Sequence, residues 1–134
     1  MRLVLCHGDL WSTNMIWRKA GGGIELAAIV DFQTSHFGCP ATDIVRLLNA
    51  SLSAKDRREN WEYLLETFYS YLKEEVGGGE MPYTLGQLKK AYQLYFPLGG
   101  FLIVPMIGPL FQLANNSEDA EYKEKVKPQR SLLQ

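Results

Sequence analysis

Three polar residues near the start of the chain have the types and spacing to do chemistry together. Asp9 and Asn14 lie five positions apart in His7-Gly8-Asp9-Leu10-Trp11-Ser12-Thr13-Asn14, and Asp31 follows in Ile29-Val30-Asp31-Phe32-Gln33. Transfer of a phosphoryl group from magnesium-bound ATP needs such a set. One carboxylate must receive or orient the proton of an acceptor hydroxyl, and oxygen ligands must hold magnesium against the phosphates. A D-x-x-x-x-N pair is common in loops, where both residues can serve as turn formers, and Asp31 could merely cap a strand end. The pair gains weight here because H-G-D directly follows a strand-like run and I-V-D-F ends a hairpin-like one.

The surrounding elements must bring these side chains together. Arg2–Cys6 is a short apolar run with β character, stopped by His7-Gly8-Asp9. Met15–Trp17 and Ile24–Val30 flank the turn Gly21-Gly22-Gly23, the pattern of a β-hairpin, which folds Asp31 back toward the loop 7–14. Gln33–Thr42, with Gly38 and Pro40, reads as loop. A helix then carries Ile44, Val45, Leu47 and Leu48, with Thr42 or Asp43 as its N-cap. A longer helix begins at the capping box Ser53/Asp56, presents Trp61, Leu64, Leu65, Phe68, Leu72 and Val76 on one face, and stops at Gly77-Gly78-Gly79. Thr84 with Gln87 forms a second capping box. The 18 residues from Leu94 to Phe111 carry no charge but hold three prolines and three glycines, which predicts a buried, broken pair of core helices rather than a membrane span. The aromatic stripe Trp61, Phe68, Tyr71, Tyr95 and Phe96 is expected in the core, and residues 115–134 form a polar tail.

Composition narrows the function classes. With 134 residues, 46% hydrophobic and 22% charged, the chain is long enough to bury a core without disulfides. Its formal net charge of −1 argues against nucleic-acid binding. Cys6 and Cys39 form no metal motif, and a zinc site drawn from Cys6, His7, His36 and Cys39 lacks C-x-x-C spacing. The first residues do not have the pattern of a signal peptide. A cytoplasmic protein with reduced thiols, no membrane segment and no nucleic-acid partner is expected.

The order H-G-D-x-x-x-x-N, then D-F, matches the catalytic loop and metal-binding Asp of kinases. LCHGDLWSTNMIW, IVDFQ and HFGCPATDIVRLL resemble the choline-kinase-like and aminoglycoside-phosphotransferase-like small-molecule kinases, above all the ecdysteroid-kinase-like (CHK kinase-like) branch and its nematode members. MPYTLGQLKKAYQLYFPLGGFLIVP is similar to their later helices, so the resemblance runs from about Leu3 to Phe111. It implies an α+β fold: a mainly α-helical C-terminal lobe of a protein-kinase-like fold over residues 1–114, with a small β-hairpin carrying the catalytic and metal loops. It implies ATP as phosphoryl donor, Mg2+ as cofactor and a small hydroxyl-bearing metabolite as acceptor. Asp9 would be the catalytic base, and Asn14 and Asp31 the magnesium ligands, Asp31 the principal one. Asp43 resembles the structural Asp that braces the catalytic loop, although a helix N-cap explains it equally well. His7 is read as loop scaffold rather than general base. Gln33 stands where protein kinases have the Gly of D-F-G, so their mobile switch is not expected.

A kinase of this kind also uses a Gly-rich loop over the phosphates and a Lys-bearing strand. By resemblance these lie in an N-terminal lobe ahead of the catalytic loop. The chain is therefore expected to be the C-terminal lobe, inactive without its missing N-terminal partner. Two alternatives stand beside this: a non-catalytic lobe remnant that binds a partner through an exposed apolar face, and, more weakly, a metal-dependent hydrolase using Asp9 and Asp31.

Overall fold

A two-residue hairpin turn of type I′ needs positive φ at both central positions, which glycine adopts most freely. Gly21 and Gly22 supply it, with φ of 54° and 88°. In the structure, a computed structural model that describes residues 1–116, they join strand β2 (Met15–Ala20) to its antiparallel partner β3 (Gly23–Ile29). Ala20 pairs with Gly23 and Met15 with Ile29, with one irregularity between Ile16 and Trp17. The strand β1 (Val4–Cys6) pairs antiparallel with β4 (His36–Gly38), Cys6 opposite His36. Both sheets are two-stranded. The stretch 33–42 is thus not all loop: a 3-10 turn over Phe32–Thr34 leads into β4. No local pattern marks so short a strand, because its hydrogen bonds come from residues some thirty positions earlier.

Helix α1 (Ala41–Ser51) begins with Pro40 at the capping position and no side-chain cap. Thr42 and Asp43 are therefore inside the helix rather than at its N-cap. The Thr42 hydroxyl donates to the Cys39 carbonyl (2.8 Å), and the Asp43 carboxylate is engaged by loop amides. Helix α2 (Ala54–Val76) starts at Ser53, whose Oγ accepts from the Asp56 amide (3.1 Å), and closes on Gly77 in the left-handed conformation. Helix α3 (Leu85–Asn116) opens with a reciprocal capping box: Gln87 N–H donates to Thr84 Oγ1 (3.2 Å) and Thr84 N–H to Gln87 Oε1 (2.9 Å).

The fold is α+β, with three helices and two small antiparallel sheets among the described residues. It divides into two units, Met1–Gly100 and a second that begins at Phe101. The core of the first joins Val45 and Leu48 of α1, Leu65 of α2, and Tyr83, Leu88 and Tyr92 at the start of α3. Trp61, Leu64 and Leu72 pack against this core from the α2 face read in the sequence. Phe68, Tyr71 and Phe96 remain exposed, so the aromatic stripe enters the core only in part. In the second unit, Phe101, Pro105, Pro109 and Gln112 are exposed.

The expected pair of broken, buried helices over Leu94–Phe111 is instead a continuous part of α3. Each proline removes one N–H and crowds the carbonyl four residues back, a local cost that bends a long helix more readily than it ends one. The prolines at 97, 105 and 109 thus interrupt the ladder at Gln93, Phe101 and Pro105, and the remaining bonds carry the helix on. Leu94, Leu98 and Phe101 are 65%, 56% and 75% exposed, which removes them from any core. Among the described residues no helix is long and apolar enough to cross a membrane. The polar tail lies outside the described residues from 117 onward.

Two outcomes follow from this core. Leu88 is fully buried, so Leu88→Ala should lower unfolding free energy by about 2–5 kcal/mol in urea titration. Burial, with the nearby Cys39 and Cys6 thiols adding to it, pushes the Tyr83 hydroxyl up to about 12. The folded state therefore holds this proton more tightly than the unfolded chain. Its contribution is complete below about pH 10 and is lost as pH rises toward about 12. Tyr83→Phe should flatten that alkaline decline in a pH series of denaturation midpoints.

Candidate active site

The loop 7–14 has little regular structure of its own, so its backbone amides need acceptors from elsewhere. Asp43, in the first turn of α1, provides them. Its Oδ2 accepts from the His7 amide (2.6 Å) and its Oδ1 from the Gly8 amide (2.9 Å). Hydrogen bonds to a carboxylate are roughly twice as strong as neutral ones. Gly8 is the only residue type this turn tolerates. Its φ is +83°, and a Cβ there would collide with the Thr34 carbonyl and sit 2.9 Å from Thr34 Oγ1. Thr34 Oγ1 also donates to the His7 carbonyl at 3.5 Å.

His7 is 7% exposed, and both ring nitrogens are engaged. Nε2 lies 2.9 Å from the Val30 carbonyl, and Nδ1 accepts from the Asp9 amide at 3.3 Å. These partners assign the hydrogen to Nε2 and leave no ring nitrogen open to a substrate. The ring also packs at 52° against Phe32, centroids 4.5 Å apart. The Val30 amide in turn donates to the Asn14 carbonyl (3.0 Å). Val30 thus ties the end of the hairpin to both His7 and Asn14, and Asp31 follows it directly.

Asn14 ends a 3-10 turn over Ser12–Asn14. Its Nδ2 donates to the Asp9 carbonyl (2.9 Å) and to Asp9 Oδ2 (3.3 Å). The other Asp9 oxygen is paired with Arg46 of α1, in a half-buried ion pair. The Arg46 guanidinium also sits 5.9 Å from the Trp11 ring centroid, within reach of a cation–π contact. Two carboxylate oxygens offer about four acceptor sites, so Asp9 retains acceptor capacity beyond these partners.

Asp31 occupies the left-handed region, φ 67° and ψ 56°, and is the one non-glycine residue with positive φ among the described residues. A non-glycine residue held there costs on the order of 1 kcal/mol or more. Its carboxylate is exposed and meets Gln33 Nε2 at 3.5 Å. The structure therefore joins Asp9 and Asn14 by direct contact and links Asp31 to them through the backbone of Val30.

The donor set suits a hard cation. With Nδ2 turned to Asp9, the Asn14 Oδ1 is left as an oxygen donor, and the Asp31 carboxylate is open. Magnesium is commonly held by one or two protein oxygens, with water and phosphate completing an octahedron. Among the described residues no three His, Cys, Asp or Glu side chains cluster to hold a metal by themselves. An ion here would take its other ligands from water and phosphate.

Arg46 is the site residue that reading the motifs missed. It follows Asp43 by three positions, so both project from one face of α1. A second charge on the face that braces the loop was the available signal.

An acid–amide pair on a loop held by a helix carboxylate, with a second acid closing the adjacent hairpin, is a kinase-like arrangement. Comparison with known proteins points to a kinase-like family as well. The chain belongs to the family described as "Uncharacterized oxidoreductase dhs-27", whose model matches residues 1–132. It is 35% identical over 96 residues to a Caenorhabditis elegans protein described as an uncharacterized kinase-like protein, covering 72% of this chain and 24% of that protein. It is 31% identical over 134 residues to the Caenorhabditis elegans protein named Uncharacterized oxidoreductase dhs-27, covering 95% of this chain and 16% of that protein. The chain thus spans a quarter or less of each relative's length. No solved structure matches the chain.

Removing the Asp43 carboxylate should expose how far the loop depends on it. Asp43→Ala leaves two loop amides without their acceptor and should cost about 2–4 kcal/mol of stability. Amide hydrogen exchange at His7 and Gly8 should accelerate more than exchange in the α2 core.

Proposed function

We propose that the chain forms the catalytic and metal-binding lobe of an ATP-dependent kinase that phosphorylates a hydroxyl group of a small metabolite. The observation that carries this reading is the Asp9–Asn14 contact on a loop clamped by Asp43. The kinase-like relative supports it, and the resemblance to the ecdysteroid-kinase-like branch supplies the class of acceptor. The oxidoreductase name belongs to a much longer protein, in which this chain aligns with 16% of the length.

In this reading Asp9 orients the acceptor hydroxyl and takes its proton as the new O–P bond forms. The bond between the γ-phosphorus and its bridging oxygen breaks, and ADP leaves with that electron pair. Arg46 and Asn14 hold the Asp9 carboxylate in place, while His7 and Asp43 hold its backbone. Asp31 and the Asn14 amide oxygen would hold magnesium, which neutralises charge on the phosphate oxygens. The rest of the nucleotide cleft is assigned to an N-terminal lobe, so this lobe alone turns over little or no substrate.

The competing reading, a lobe that only binds a partner, draws on the hairpin. Ile16, Trp17, Ile24 and Leu26 are exposed there, and apolar surface of this kind marks faces that another element covers. A covering kinase lobe would use the same face, so the two readings differ at the nucleotide.

Calorimetric titration with ATP separates them. Weak binding that requires magnesium and falls at least about tenfold, or about 1.4 kcal/mol, in Asp31→Asn is expected. Tight binding that Asp31→Asn leaves untouched would overturn the metal assignment. Absence of any magnesium-dependent heat, with a folded protein, would favour the partner-binding reading. Robust phosphate transfer by this chain alone would overturn the need for a second lobe.

A further inference from the structure

Different partners hold the two oxygens of the Asp9 carboxylate. Asn14 Nδ2 donates to Oδ2 at 3.3 Å, while Arg46 Nη1 is paired with Oδ1. In-line phosphoryl transfer puts the attacking and leaving oxygens on opposite sides of the phosphorus. With Asn14 read as a metal ligand, its oxygen of Asp9 belongs to the metal and phosphate side. Arg46 then marks the other side, where the acceptor enters.

Asp9 uses little of what Arg46 offers. A guanidinium carries five N–H donors in a planar fork, and the pairing with Asp9 engages Nη1. Nε and Nη2 make no hydrogen bond among the described residues, and neither is closed off from solvent. The guanidinium lies over the Trp11 ring, 5.9 Å from its centroid. Its ion pair with Asp9 is half-buried, the side chains 22% and 21% exposed, so charge there is screened less than in open water.

The nearby carboxylates are already engaged. Asp43 gives both oxygens to loop amides, Asp9 is held by Arg46 and Asn14, and Asp31 is read as the metal ligand. An ammonium group on the acceptor would therefore meet a guanidinium and find no unclaimed carboxylate beside Asp9. A carboxylate would meet free donors whose planar fork matches it. The charge of Asp9 offsets that of Arg46 at long range, so selection here works through hydrogen bonds at contact distance.

We propose that Arg46 determines acceptor specificity: its free N–H groups receive a carboxylate carried beside the hydroxyl that Asp9 receives, so the acceptor is a small hydroxy acid and not an amino alcohol. This rests on the reading of Asp9 as the group that meets the acceptor hydroxyl. Because the free donors belong to the same fork that touches Asp9, the acid lies within a few bonds of the hydroxyl, as in an α- or β-hydroxy acid. Such an acceptor satisfies base and guanidinium together, whereas an amine sets like charges against each other.

A matched set of probes tests this on the full chain in carboxylate-free buffer: glycolate, ethylene glycol, ethanolamine and acetate. Nitrogen–proton correlation spectra follow the Arg46 Nε–H signal, identified by its loss in Arg46→Lys, and the Trp11 indole, identified by Trp11→Phe. Glycolate should shift both saturably, with a midpoint below about 100 mM. Acetate, which lacks the hydroxyl, should bind at least about threefold more weakly. Ethylene glycol and ethanolamine should give no saturable shift over the same range. Arg46→Lys keeps the charge and loses the fork, and should weaken glycolate binding about tenfold at the Trp11 indole. The ranking of probes is read on the unaltered chain, so it stands even if the variant fails to fold. Ethanolamine or ethylene glycol binding as tightly as glycolate would overturn the acid preference. Glycolate binding unaltered in a folded Arg46→Lys, or no saturable shift with any probe, would overturn it too. Acetate matching glycolate, with both weakened in Arg46→Lys, would overturn the hydroxy acid in a different way: Arg46 would still hold an anion, but the reading of Asp9 as the hydroxyl's partner would have failed.

Discussion

One carboxylate holds the chemical end of this protein together. Asp43 accepts from the consecutive amides of His7 and Gly8, and these belong to a loop with little regular hydrogen bonding of its own. The grip works because α1 is anchored in the core through Val45 and Leu48. A rigid helix therefore presents a fixed acceptor to a segment that would otherwise turn to water. Gly8 makes the approach possible, since any side chain there would strike Thr34. From this fixed point the geometry propagates along the chain. His7 reaches Val30, Val30 binds Asn14, and Asn14 closes on Asp9.

Arg46 extends the same logic to the side chains. One turn beyond Asp43, it pairs with Asp9 while lying near the Trp11 ring. One face of α1 thus carries a negative group for the loop backbone and a positive group for the loop's own acid. Opposite charges three residues apart on a helix are ordinary neighbours. Here each is directed at the loop rather than at the other. Asp31 contributes in a different way: its left-handed backbone turns the chain sharply at the end of the hairpin, and tertiary contacts through Val30 and Phe32 offset the strain.

Much of this was legible in the residues themselves, wherever the signal was local. The glycine pair announced the hairpin, and the boxes at Ser53 and Thr84 marked the true starts of α2 and α3. The spacing of Asp9 and Asn14 placed them within reach of each other. Non-local features were harder to read. Strand β4 exists because β1 lies beside it, and three residues carry no period. Pro40 displaced the expected caps because Thr42 and Asp43 were committed elsewhere. The prolines of α3 suggested breaks, yet each removes a single bond from a long ladder. Apolar character along Leu94–Phe101 suggested a core, whereas several of those side chains face outward. The fit of Arg46 to Asp9 depends on how α1 sits against the loop, which no spacing rule encodes.

In the proposed kinase, Asn14 and Asp31 would present oxygens to a divalent cation carried by phosphate, beside an Asp9 fixed by Arg46 and Asn14. Paramagnetic broadening tests it most directly, because manganese substitutes for magnesium at oxygen sites and reports weak binding by distance. Small additions of Mn2+ with ATP should broaden the Asn14 side-chain amide and the Asp31 and Phe32 backbone amides first, and Asp31→Asn should abolish that selectivity. Uniform broadening, or broadening centred on the exposed carboxylates of α2 with the loop signals untouched, would contradict it.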